Sequence, residues 1–124
     1  MGNESKKPRE SERKINILGT DYDFIESSAD KEHRLARADG FHEFMDKVIG
    51  IEKNLLTDSG EYPNIEELRK RYRNQVLCHE IIHGYMYESG LSNFFTSKDE
   101  EFVVEWLVIQ FPKMLKTFQE HGVI

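Results

Sequence analysis

Cysteine, proline and tryptophan are scarce in this chain, and long apolar runs are missing. The single cysteine, Cys78, excludes a disulfide framework and fits a reducing compartment. No apolar stretch reaches membrane-spanning length and no secretory leader pattern is present, so the sequence predicts a cytoplasmic protein with no membrane partner. Positive charge is also short: 17 Lys and Arg stand against 23 Asp and Glu, for a net charge of -6 and a pI near 5.4. A nucleic-acid partner demands a basic footprint, which the short cluster Lys6-Lys7-Pro8-Arg9 does not supply, and none is expected. None of the three prolines falls between Asn64 and Phe111, which leaves that stretch free to be helical.

The 124 residues, 38% hydrophobic, suffice for one core of modest size and leave no room for a second domain. Met1 to Glu12 is polar and without apolar periodicity, predicting a disordered tail before a single domain over residues 13–124. Ile15 and Ile17, then Tyr22 and Phe24, alternate with polar residues around Gly19-Thr20-Asp21, as in a strand pair or one bulged strand. Asp30 to Ala38 is charged and reads as a helical turn or loop. Phe41 to Met45 and Lys47 to Lys53 read as two short strands joined near Asp46, completing a small antiparallel meander. Thr57 to Pro63 is turn-rich, and Asn64 with Glu67 forms a capping box for a helix from Ile65 to about Tyr87, ended by Glu88-Ser89-Gly90. Thr96 or Ser97 then caps a second helix, which Pro112 is expected to kink or restart. The fold class is α+β, with a sheet of three or four strands against a helix pair.

Within the first helix stands His79-Glu80-Ile81-Ile82-His83. A helix puts residues four apart on one face, so both imidazoles reach a single metal ion while Glu80 lies beside it. Hydrolysis at zinc needs two neutral nitrogens, a third protein ligand, an open position for water and a carboxylate to take the water's proton. Shuffling this composition would produce the pentapeptide in roughly one trial in forty. Its surroundings must therefore carry the rest. Val76, Leu77 and Tyr85 with the two isoleucines predict burial on neighbouring faces, which argues against a pair of solvated surface histidines. Cys78 points about 100° away from His79 and is expected to be a buried small hydrophobe without chemistry.

The third ligand is sought downstream, where Asp99-Glu100-Glu101 opens the second helix. Asp99 and Glu100 are explained by the helix dipole alone. Glu101 and Glu105 share a helix face. Glu105 lies inside Phe102-Val103-Val104-Glu105-Trp106-Leu107-Val108-Ile109, a run apolar enough to be expected buried nearly all round, where a carboxylate wants a partner. Glu101 as ligand with Glu105 supporting an imidazole is the preferred assignment, and spacing alone also admits the reverse.

With Ile15-Asn16-Ile17-Leu18-Gly19-Thr20, the stretch from His79 through Gly84-Tyr85-Met86-Tyr87-Glu88-Ser89-Gly90-Leu91, and Val104-Glu105-Trp106 leading to Gln110-Phe111-Pro112-Lys113, most of the chain resembles a known group. These are the small HExxH proteins of phages and mobile elements of Gram-positive bacteria, related to the ImmA/IrrE-type metallopeptidases. The resemblance implies a minimal zincin-like domain of gluzincin type. It implies His79, His83 and Glu101 as ligands of Zn²⁺, Glu80 as general base, and a peptide or protein substrate such as a repressor or host regulator. The chain departs from the group at Asp39-Gly40-Phe41-His42-Glu43-Phe44, where His42 is unexpected and is read as a surface residue of an edge strand. Such an edge, over Phe41 to Met45 or Val48 to Glu52, would pair with a substrate peptide. Tyr72, Tyr85 and Tyr87 are candidate donors to a developing oxyanion, although packing is the usual role of such residues. Gly84 admits either a close backbone or substrate approach or a tight helix crossing. The alternative function is a catalytically silent zinc-binding regulatory protein that keeps the fold.

Overall fold

The computed structural model describes residues 13–56 and 65–124. The tail expected over residues 1–12, the turn-rich segment 57–63 and the Asn64 cap lie outside these residues. Strands β1 (Arg13–Ile17) and β2 (Thr20–Ser27) form an antiparallel hairpin. The two residues between them, Leu18 and Gly19, both have positive φ, 53° and 94°, the turn that matches strand twist. Of the two options open for this segment, the chain takes the strand pair. Asn16 stabilises the turn by accepting from the Gly19 amide at 3.1 Å and donating across the hairpin to Asp21 at 2.8 Å.

After β2 the chain makes a short 3-10 turn at His33–Leu35, then forms β3 (Gly40–Glu43) and β4 (Val48–Glu52). The strand order is β1-β2-β4-β3, and β4 runs parallel to β2, with Phe24 opposite Ile49. The sheet is therefore mixed, which corrects the antiparallel meander expected from the sequence. Burial explains the insertion. Ile49, Gly50 and Ile51 are all buried and suit an interior strand, whereas β3 carries His42 and Glu43 and suits an edge. The β3–β4 hairpin thus enters from the outside and lays its apolar strand against β2.

One face of the sheet packs on helix α1 (Ile65–Glu88), where Ile17, Tyr22, Phe24, Ile49 and Ile51 meet Val76, with Tyr72, Leu77 and Ile81 beside them. Two glycines set the spacing. A Cβ on Gly84 would stand 2.4 Å from Ile17 Cδ1, and one on Gly40 would stand 2.7 Å from Val76 Cγ1. Gly84 therefore serves the approach of β1 to the helix rather than a helix crossing.

Gly90, with φ 83°, follows the end of α1. Helix α2 (Ser97–Glu120) is capped by Thr96, whose hydroxyl accepts from the Asp99 amide at 3.1 Å. Pro112 lies inside α2, and the helix continues through it rather than restarting. The run expected to be buried all round is not. Val104 is fully buried, but Phe102, Trp106 and Ile109 are 73%, 48% and 55% exposed, because α2 is an outer element covered on one face. No helix among the described residues is long and apolar enough to cross a membrane.

Candidate metal centre

α1 supplies His79 and His83 and α2 supplies Glu101, and the three side chains converge. His79 Nε2 and His83 Nε2 are 3.2 Å apart, and the two Glu101 oxygens lie 3.2 Å from the former and 2.7 Å from the latter. Two imidazole nitrogens and a carboxylate brought this close together could hold a metal ion. Glu101 is half-exposed while both imidazoles are mostly covered, so the centre opens toward solvent on the α2 side.

The Nδ1 atom of His83 faces a Glu100 oxygen at 2.7 Å. An ionised carboxylate only accepts, so Nδ1 carries a proton and donates to Glu100, and Nε2 likewise faces Glu101 as a donor. Loss of the Nε2 proton would free that atom to bind an ion. Burial opposes charging of His83, but the adjoining Glu100 and Glu101 outweigh it and raise its pKa. Sequence reasoning gave this orienting role to Glu105. Glu105 is instead exposed on the cleft wall one turn beyond Glu101. The signal for Glu100 was its place four residues before Val104, on the face that α2 turns inward.

Glu80 is 8% exposed, and burial pushes its carboxyl up to about 7, with the negative charge of Glu101 adding to the effect and His83 opposing it. Its Oε2 lies 3.2 Å from the point where a Cβ on Gly40 would stand. Gly40 was not singled out from the sequence, yet lacking a side chain it lets the edge strand lie against this carboxyl. Together they border a cleft of about 450 Å³ that also includes Tyr72, Val76, Val108 and Ile109. Of the three candidate tyrosines only Tyr72 lines this cleft, and its hydroxyl donates to Asp39. Tyr87 stacks on Phe44 at 4.8 Å, and Tyr85 is exposed.

β3 is a free edge of the sheet. The Glu52 amide donates to the Asp39 carbonyl at 2.8 Å, so residues 39, 41 and 43 direct their backbone groups at β4. Gly40 and His42 then direct theirs outward. Of the two strands expected to offer an edge, β3 does so and β4 is enclosed between neighbours.

His42 lies on the edge strand as expected but is only partly exposed. Its Nε2 lies 2.9 Å from the Tyr22 hydroxyl, which itself donates to Glu88 at 2.7 Å. With the phenolic proton committed to Glu88, His42 Nε2–H donates to the phenol oxygen, and burial holds the His42 pKa down at about 4. Glu88 also receives Thr20 at 3.1 Å and Lys47 at 2.8 Å. These donors compensate a carboxylate at the negative end of α1 and tie that end to the sheet. Cys78, expected to be buried, is exposed. No protein-family model, no curated protein and no solved structure matches this chain.

Proposed function

We propose that this chain is a zinc-dependent peptide hydrolase with a zincin-like fold, of the kind the ImmA/IrrE-type resemblance implies, acting on a protein regulator. The observation that carries the reading is the convergence of His79 Nε2, His83 Nε2 and Glu101 within about one ligand spacing, next to a buried Glu80 in an open cleft. His79, His83 and Glu101 would hold the ion. Zinc, when bound there, supplies a Lewis acid that acidifies water and polarises a carbonyl.

The rest is the work of the chain's own side chains. The outward backbone groups of Gly40 and His42 bind an extended peptide as an added strand and bring its scissile bond past Glu80. Glu80 accepts the proton of the attacking water at its carboxylate and returns it to the leaving amine. Glu100 fixes the His83 ring, and Tyr72 stands on the cleft wall with its hydroxyl proton donated to Asp39.

The test pairs metal analysis with peptide turnover. Protein prepared without added metal is expected to hold one zinc per chain, lost in His83→Ala and Glu101→Ala, while Glu80→Gln keeps the zinc and loses hydrolysis. A wild type that takes up no metal when zinc is offered at neutral pH would sink the proposal. The second reading, a silent zinc-binding interaction protein, draws on the exposed stripe Phe102, Trp106 and Ile109 along α2. It predicts full zinc occupancy with wild type as inert as Glu80→Gln.

A further inference from the structure

The cleft beside the metal centre is one-sided in charge. Asp39, Glu80, Glu101 and Glu105 line it, and among the described residues no lysine or arginine does. In the proposed hydrolase Glu101 is committed to the ion and Glu80 to proton transfer, which leaves Asp39 on one wall and Glu105 on the other. Asp39 accepts the Tyr72 hydroxyl. Glu105 has no hydrogen bond or ion pair among the described residues. The same lining contributes apolar surface from Val76, Val108 and Ile109, beside Gln75 and His79. A second feature shows that this hollow is built to receive a group: Glu80, more than nine-tenths buried and without a hydrogen-bond partner among the described residues, faces the same space.

An acidic lining that also offers apolar surface matches one kind of side chain, a long aliphatic stem with a cationic head. The geometry points to a substrate that carries lysine or arginine beside the scissile bond, its stem on Val108 and Ile109 and its cation at Glu105 and Asp39. This inference rests on the hydrolase reading and assigns Glu105 to substrate selection. The carboxylates attract the cation, and the same field repels acidic peptides.

The experiment has a binding arm and a cleavage arm. In the first, the zinc-loaded Glu80→Gln chain is titrated with end-blocked fluorescent peptides that differ only in carrying Lys, Gln or Glu at their central positions. The lysine peptide is expected to bind about fivefold tighter than the glutamine twin, and the glutamate twin weakest. Adding Glu105→Gln brings the Lys-to-Gln ratio close to one, and Glu105→Lys inverts the order of Lys and Glu. Because Glu105 is exposed, both variants are expected to retain the parent's melting temperature. Equal binding of the three peptides, no binding of any, or a preference that survives Glu105→Lys overturns the inference. In the second arm, zinc-loaded wild type cuts a randomised decapeptide library and the cut sites are read by mass spectrometry. Cuts without enrichment of basic residues overturn the substrate class while the hydrolase reading stands. An uncut library with the binding preference intact overturns the hydrolase reading alone.

Discussion

Glu100 holds His83: a carboxylate oxygen of the one lies 2.7 Å from Nδ1 of the other, and the same ring presents Nε2 to Glu101 at 2.7 Å. A ring held at both nitrogens has a fixed direction, and the Glu100 bond would keep the proton on Nδ1 when Nε2 binds an ion. Glu100→Ala is therefore expected to weaken zinc binding by about 10- to 100-fold, and Glu105→Ala to leave it within a factor of about two. Competition titration against a chromophoric chelator measures both, and equal losses in the two variants would return the orienting role to Glu105.

Under the proposed function zinc is also expected to stabilise the fold, because the site joins α1 to α2 and the folded chain would bind the ion preferentially. At free zinc a hundredfold above Kd the gain is about 2.7 kcal/mol. Urea denaturation with and without zinc should show it in wild type and lose it in His79→Ala. A shift that persists in that variant would place the stabilising ion elsewhere.

Gly84 and Ile17 are the tightest meeting of α1 with the sheet. An alanine at position 84 gains up to about 1 kcal/mol of helix propensity, yet its Cβ would fall 2.4 Å from Ile17 Cδ1, a side chain with no exposure. Overpacking of this kind costs about 1–3 kcal/mol, so Gly84→Ala is expected to be net destabilising. Ile17→Val removes the offending methyl, and the double variant should recover part of the loss in a denaturation cycle. Additive losses would show that the two sites do not press on each other.

His42 makes stability depend on pH. Its folded pKa of about 4 lies below the ordinary 6.5, chiefly because burial disfavours the cation, with repulsion from His83 adding to it. On acidification the unfolded chain takes up this proton first. The contribution is therefore fully present above pH 6.5 and is lost as pH falls through about 4. Across that window Glu80, raised to about 7, acts in the opposite sense because the folded chain takes up its proton first. The check is therefore a difference: urea midpoints from pH 8 to pH 4 should fall more in wild type than in His42→Gln. An unchanged slope in the variant would show that this ring does not carry the decline.

Edge-strand recognition predicts a backbone effect at Gly40. An alanine there would meet Val76 Cγ1 at 2.7 Å and the Glu80 carboxyl at 3.2 Å. Gly40→Ala is expected to cost about 1–3 kcal/mol of stability and to cut peptide turnover at least tenfold while zinc content stays at wild type. Turnover unaffected by the substitution would remove β3 from the substrate path.

The features legible in the residues alone were those that depend on neighbours along the chain. Period 3.6 puts His79 and His83 on one side of α1, a hydroxyl at Thr96 or Ser97 was expected to cap α2 and Thr96 does, and a strand pair was one of the two options around Gly19-Thr20-Asp21. Each is a contact over at most four residues, decided by local backbone geometry. Choices between elements were decided only by the assembled fold. The parallel pairing of β2 with β4 follows from burying Ile49 and Ile51 in the middle of the sheet, a comparison among strands that no single strand contains. The selection of Glu100 over Glu105 follows from the rotation of α2 about its own axis. Burial of Val104 sets that rotation and leaves Phe102, Trp106 and Ile109 facing outward. The close approach at Gly40 likewise exists only once β3 lies beneath α1. Rotation and strand order lower the free energy of the whole core at once, and a local pattern carries no measure of that sum.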